Sequence, residues 1–305
     1  MSREVYSEMM KKVVSGEFVY TGETRPVKTT SLTETIETAK MLKGYVTAVN
    51  VTDNPTAFAY IPSLVGAYAI QKETGLEAVY QTTCRDRNRL ALLSDLLSAG
   101  YFGIKNVIAM SGDHTSIGDN PQALAVYDLD SAGLVYMIKK VVNEGVDLAG
   151  NKIENPPKFF VGITANPNAD PLEAEILKIK RKALLGADFV QTNVVYDIDV
   201  AKNFIKELES VKLPVLIGTT PLKSIAMMKW MDENVPGVSV PNEIKERMTR
   251  AKERGGKEAI AQENIAIFSE FIKELRKTTH AAGVHIMAVG YEKIVPSIIA
   301  ASRGD

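Results

Sequence analysis

An eight-stranded parallel β/α barrel of TIM type is the α/β fold class this sequence predicts, on three observations. Short β-branched or aromatic runs alternate with longer segments of helical period, eight times over and without a break in composition. Several of the short runs, such as AVNV, VIAM, FFVGI and PVLIG, are apolar almost throughout, which suits parallel strands buried on both faces. Regular strand–helix alternation favours a parallel sheet, and no GxGxxG fingerprint follows the first strand, which argues against an open dinucleotide-binding sheet. The chain has 305 residues. One barrel takes about 250, so residues 1–305 are expected to form a single domain with extra helices before strand eight.

The elements follow in order. The first strand is expected over 17–21, with a helix over 32–43 behind Ser31 as N-cap. The second strand, 45–51, leads to a helix over 57–72. The third, 77–82, leads to 88–99. The fourth, 106–110, is followed by a long loop and a helix over 131–144. The fifth, 158–164, precedes 171–185; the sixth, 188–192, precedes 200–208; the seventh, 215–218, precedes 222–232. Two helices over 242–253 and 257–278, separated by Gly255-Gly256, come before the eighth strand, 284–288, and a last helix over 292–301.

Composition narrows the function classes. A formal net charge of −1 gives no global electrostatic case for nucleic acid or an anionic membrane. The N-terminus MSREVYSEMMKK lacks the apolar run of a signal peptide, and no apolar stretch approaches a membrane span. A cytoplasmic location is the expectation. One cysteine, Cys84, allows no intrachain disulfide and no multi-cysteine metal site. His114, His280 and His285 do not fall at metal-ligand spacing, so no metal is expected.

Barrel enzymes carry their chemistry at the C-terminal ends of the strands. The polar residues expected there are Glu23 and Arg25-Pro26, then Asn50 and Thr52 to Asn54, then Gln81 to Thr83. Ser111 to His114 follow strand four and Thr164 and Asn166 strand five. Gln191 to Asn193, Thr219 and Thr220, and Met287, Gly290 and Tyr291 complete the ring. The ring is rich in carboxylates, carboxamides and hydroxyls and poor in cations. It suits a ligand with many hydrogen-bonding edges, such as a pterin or an isoalloxazine, better than a polyphosphate. Glu23 and Asp113 are carboxylates from different strands, and such a pair can divide proton donation from charge stabilisation. The alternative is that each caps a helix or fixes a loop.

Other residues have plain structural readings. Lys178 to Arg181 read as a solvated helix face, and the Lys182 stem as a cover for apolar surface. Cys84 reads as a small loop or core residue, His114 as a loop residue, and His285 as a hydrogen-bonded core histidine. Met227, Met228 and Met287 read as gap fillers, and Trp230 as packing.

The stretch TGLEAVYQTTCRDRNRLALLSDLLSAGYFGIKNVIAMSGD, Thr74 to Asp113, resembles the methylenetetrahydrofolate reductases. So do KIKRKALLGADFVQTN, Lys178 to Asn193; GEFVYTGETRP, Gly16 to Pro26; and GDNPQALAVYDLDS, Gly118 to Ser131. The resemblance covers nearly the whole barrel and is to the short prokaryotic form. It implies an oxidoreductase of one-carbon metabolism that uses a bound flavin to reduce 5,10-methylenetetrahydrofolate to 5-methyltetrahydrofolate. FAD is the expected cofactor, with FMN the alternative. Glu23 matches the general acid, and Asp113 the carboxylate beside flavin and pterin. Glu175 and Lys182 match flavin-contacting positions, as do Asn50 and Gln81, where the family often has Thr and His; the strand-end Thr164 is assigned with them. Asn193 takes the place of a substrate-binding Gln, with Gln191 two residues earlier on the same strand face. Ile225 stands where many members place an aromatic residue over the ligand, and Ser111 where many have Arg. The expected reductant is NAD(P)H or an electron-delivering iron–sulfur or flavin partner subunit, and an oligomer is expected. A flavin-free folate reductase or methyltransferase on the same barrel, or a non-catalytic pterin-binding subunit, are the competing readings.

Overall fold

In the computed structural model, which describes residues 4–25, 27–235 and 237–304, eight parallel strands close into a barrel in the order β1 to β8. The strands are β1 (Val19–Thr24), β2 (Ala48–Val51), β3 (Glu77–Thr83), β4 (Asn106–Met110), β5 (Phe160–Ala165), β6 (Phe189–Val194), β7 (Val215–Thr219) and β8 (Gly283–Ile286). Among the described residues the helices of the outer ring and its additions are α2 (Thr33–Leu42), α3 (Ser63–Thr74), α4 (Arg89–Tyr101), α5 (Ser131–Glu144), α6 (Leu172–Leu184), α7 (Ile198–Glu207), α8 (Ile225–Asn234), α9 (Asn242–Thr278) and α10 (Val295–Arg303). Among the described residues no helix is long and apolar enough to cross a membrane. Pro26, placed above in the first strand-end loop, lies outside the described residues.

Every expected strand is present, and β4 and α5 have the expected bounds. Two helix expectations need correction, and a third holds. The N-cap of α2 is Leu32, without a side-chain cap; Ser31 instead accepts from the Thr33 N–H through its Oγ. The helix expected from residue 57 begins at Ser63, because Asn54, Thr56 and Ala57 take left-handed backbone and build a turn. The two helices expected before strand eight are the two arms of α9, broken by non-helical Gly255 and Gly256. The arms fold back on each other, since Arg247 pairs with Glu263 and Glu270 across the break.

One element was not foreseen. Helix α1 (Glu8–Val14) docks under the N-terminal end of the barrel. Met9, Met10 and Val13 pack with Val19, Ala48, Val79, Ile108, Phe160, Phe189 and Leu216, all inward-facing strand residues. The Glu77 carboxylate accepts from the Glu8 and Met9 N–H groups at 2.6 and 3.1 Å, and Ser7 Oγ donates to Asn106 Oδ1 at 2.7 Å. The short run MMKKVV carries too little helical period to announce a helix; it is the barrel's apolar mouth that fixes it.

The register sets which residues share a height. At constant height the pairing advances one residue per strand, as in an eight-stranded barrel of shear 8. Asn50, Ile108, Gln191 and His285 therefore form one interior layer. Thr21, Val79, Gly162 and Leu216 lie below it. Glu23, Gln81, Thr164 and Gly218 lie above it, toward the strand C-termini. Gly162 leaves room that Phe189 takes: a Cβ there would stand 2.3 Å from the Phe189 ring. The interior thus changes from apolar to polar along one axis within a few layers.

Candidate functional site

A cleft of about 630 Å³ opens at the C-terminal end of β2 to β6. Its floor carries Gln81 and Thr164 from the Glu23 layer, and its walls come from the loops after β2, β3 and β4 and from α6. Asp113, exposed on the loop after β4, projects into it. Asp113 Oδ2 accepts from the Thr56 N–H at 2.8 Å, and no further bond to this carboxylate is formed among the described residues.

Two arginines brace the wall, Arg85 buried in it and Arg87 half-buried behind Asp53. Arg87 holds Asp53 with two bonds, of 2.7 and 3.1 Å, while Asp53 also accepts from Thr83 N, Thr83 Oγ1 and Ser63 Oγ. Arg85 donates to both oxygens of Asp86 at 2.8 and 2.7 Å, and to the Asp113 and Asn54 carbonyls at 3.1 Å each. Burial works against the charge on Asp86, but the bonds from Arg85 and Asn54 outweigh it and hold that carboxyl below its ordinary value. Neither arginine is singled out by the sequence, where both lie inside the stretch from Thr74 to Asp113.

At the far end of the cleft stand Lys178, Arg181 and Lys182 of α6, with Asp130 and Ser131 at the N-terminus of α5. The expectation of a plain solvated face holds only in part. Lys178 and Arg181 are each two-thirds exposed, yet both line the cleft. Lys182 is buried, and burial pushes its ammonium below the ordinary lysine value, partly offset by Glu175. It forms no ion pair within 4 Å among the described residues. Glu175 is committed to the Asn166 N–H at 3.0 Å and to Lys178 at 3.2 Å. A buried cation without a partner beside a helix N-terminus is a ready seat for an anion such as phosphate. The sequence had suggested a site poor in cations; the fold brings α6 over the strand ends and supplies them.

Other candidates fall in and out of the cleft. Gln81, Thr164, Glu175, Lys182, Asn193 and Asp113 line it. Ser111 lines it too, and its Oγ accepts from the Ser131 N–H at 3.3 Å. Asn50 and Gln191 do not line it: they lie one layer deeper, buried, and among the described residues both polar side-chain atoms of Asn50 and Oε1 of Gln191 have no hydrogen-bond partner. Ile225 opens α8, packs half-buried against the outer core and does not line this cleft. Glu23 is 16% exposed at its side chain, and its Oε2 stands 3.5 Å from His285 Nε2. His285 Nδ1 is 3.0 Å from Thr21 Oγ1.

His114 caps its own turn, accepting from the Ser116 N–H. Cys84 is buried, and burial pushes its thiol up to about 12, which makes it inert. Met228 is buried in the core, with Met227 and Met287 packed against it. Trp230 is 58% exposed on α8 and does not line the cleft.

Comparison with known proteins places this geometry. Residues 8–303 match the family model described as methylenetetrahydrofolate reductase. Methylenetetrahydrofolate reductase 2 of Schizosaccharomyces pombe is 22% identical over 96% of this chain and 46% of its own length. The 5,10-methylenetetrahydrofolate reductase of Pectobacterium carotovorum is 25% identical over 57% of this chain and 53% of its own. The chain spans about half the length of the curated relatives it matches. Among solved structures, an uncharacterised protein from Clostridium thermocellum that binds two copies of 5-methyl-5,6,7,8-tetrahydrofolic acid covers 97% of the chain. Its TM-score is 0.62 at 16% identity, and 98% of its own chain is covered.

Proposed function

Because the chain belongs to the methylenetetrahydrofolate reductase family, we propose that its single barrel domain is a cytoplasmic enzyme reducing 5,10-methylenetetrahydrofolate to 5-methyltetrahydrofolate with a bound flavin, FAD by preference. The observation that carries this reading is the meeting of two opposed chemistries in one cleft. A carboxylate, Asp113, offers an unbonded oxygen at one end, and a buried cation without a partner, Lys182, stands at the other. A flavin has that polarity, with a heterocycle of N–H and C=O edges joined to phosphate. Lys182, Lys178, Arg181 and the N-terminus of α5 would hold the phosphate, and Gln81, Thr164 and Asp113 the ring edges. When bound, the flavin supplies the hydride.

The chain's own residues supply binding, orientation and a proton. Glu23 shares its layer with cleft-lining Gln81 and Thr164, and delivers a proton to the ring nitrogen of the folate, opening the imidazolidine to the iminium. His285, fixed through Thr21, stands behind Glu23 and holds its orientation. Asp113 accepts from the pterin's N–H groups on the oxygen that Thr56 leaves unbonded. Asn193, exposed at the cleft edge, presents a carboxamide to the same ring. The carbon is then held for hydride capture, a matter of placement more than of covalent chemistry.

The purified protein is expected to be yellow, or to turn yellow on adding FAD or FMN, and to bleach on reduction. Folded protein that stays colourless with either flavin would sink the reading. The reductant is NADH, NADPH or an electron-delivering partner. Anaerobic mixing with each nucleotide separates them: rapid bleaching shows direct reduction, whereas reduction by dithionite alone points to a partner.

A further inference from the structure

We propose that Arg85 is a positioning residue of this site, one that aims the Asp113 carboxylate into the cleft without neutralising it; this rests on the flavin and folate reading above. Arg85 is buried at the end of β3, lines the cleft, and uses four of its donor directions. Two go to Asp86. The other two go to backbone carbonyls, of Asn54 in the loop after β2 and of Asp113 in the loop after β4. One planar group therefore ties three loops together, which the fixed fork of a guanidinium does and a single ammonium does not. Burying such a group is costly, and the cost is tolerated where the group organises something.

What it organises is visible in the turn above it. Gly112 takes φ +87°, and a Cβ there would stand 3.0 Å from Thr83 Cβ and 3.2 Å from Arg85 Cβ. The turn can thus lie down on Arg85 only with glycine. The Tyr127 hydroxyl shares its one proton between the Gly112 and Asp113 carbonyls, at 3.2 and 3.3 Å, and so adds to the hold of Arg85 on the Asp113 carbonyl. On the other side the Thr56 N–H takes Asp113 Oδ2, from a turn that Arg85 itself anchors at Asn54. The nearby positive charge is spent on Asp86 and on carbonyls. Among the described residues the Asp113 carboxylate keeps one oxygen free of hydrogen bonds, and both its main chain and its side chain are held.

The test is a double-mutant cycle on the full chain, read as folate turnover at saturating substrate and as affinity for 5-methyltetrahydrofolate, with thermal midpoint recorded separately. Arg85→Ala alone is expected to lower turnover by about 100-fold, the scale of a misplaced reacting group. In an Asp113→Asn background the same substitution is expected to add little, because Arg85 acts through Asp113. Arg85→Lys is expected to fail like Arg85→Ala, and millimolar guanidinium ion to restore Arg85→Ala but not the double variant. Multiplying effects in the cycle, or restoration of the thermal midpoint by guanidinium without restoration of turnover, would overturn the proposal and leave Arg85 a structural residue. Should Arg85→Ala not fold, Asp86→Asn keeps the arginine and removes one side of its seat; it is expected to show the same non-additivity in smaller measure, and additivity there overturns the proposal too. If the native protein binds 5-methyltetrahydrofolate but no flavin, the functional reading fails in its cofactor while the cycle on folate affinity still decides for or against Arg85. Binding of neither ligand overturns both.

Discussion

At the N-terminal end of the barrel the polar groups near the axis answer one another: Ser7 bonds Asn106, Asn106 bonds Glu77, and Glu77 takes the first N–H groups of α1. Near the C-terminal end they do not. Among the described residues Asn50, Gln191 and Thr52 keep buried atoms without a hydrogen-bond partner, and His285 Nε2 has only the Glu23 carboxylate at 3.5 Å. Each such atom costs about 1–3 kcal/mol. Backbone strain leans the same way, for three of the non-glycine residues at positive φ, Asn54, Thr56 and Ala57, crowd one turn beside Asp113. One end is arranged for stability, and the other carries unspent bonding capacity and strain, the mark of a place where something binds.

The sharpest way to break this contrast is to cross it. Met10→Ala, at the sealed end, is expected to cost about 2–5 kcal/mol of stability by opening a cavity under the barrel, and to leave turnover per folded molecule unchanged. Denaturant unfolding with parallel activity assays reads both. Glu23→Gln, at the other end, should do the reverse: flavin bound and reducible, thermal midpoint near native, folate reduction slower by about 100-fold or more. Near-normal turnover in that variant removes Glu23 as the proton donor.

Smaller effects sharpen the contrast within the cleft. Asp113→Asn is expected to raise the flavin's reduction potential, because a carboxylate near the ring disfavours the anionic reduced form, and to weaken folate binding. Redox titration with indicator dyes measures the first, and an unchanged potential places Asp113 away from the flavin. Lys182 predicts a pH effect of opposite signs. Its folded-state value lies below the ordinary lysine value, so between the two the unfolded chain binds more protons. Stability of the ligand-free protein then rises with pH across that window. Affinity for the flavin phosphate falls over the same window, since the anion binds the charged form. Parallel unfolding and binding titrations from neutral to alkaline pH check this, and Lys182→Met should abolish both slopes.

These two ends differ as well in how far the sequence reveals them. Strands buried on both faces announce themselves as runs such as VIAM in β4, and the helical segment after the fourth loop has the bounds of α5, which the structure caps with Asp130 and Gly145. Polar residues that follow such runs, Gln81, Asp113 and Thr164 among them, are legible as site candidates because a barrel presents its strand ends on one face. What depends on distant partners is not legible. Helix α1 needs the barrel mouth to exist, and the turn at Asn54 needs Arg85 and Asp113 to hold it. Asn50 and Gln191 look equivalent to Asn193 by alternation alone; only the register shows them one layer or more beneath the cleft floor. Arg85 and Arg87 sit in a string of charges, and nothing local says that the fold buries the first and half-buries the second.

The pairing of β1 with β8 has a consequence for how the chain is made. Thr21 and His285 touch across 264 positions of sequence, so a ribosome has delivered the first strand long before its second neighbour emerges. Until then β1 has an open edge, and the apolar methionines of α1 have no closed mouth to enter. Contacts this remote slow folding and leave early-made surface exposed. The nascent chain is expected to need shelter for its first half until the last strand arrives, and a substitution in β8 should harm yield in cells more than it harms the finished molecule.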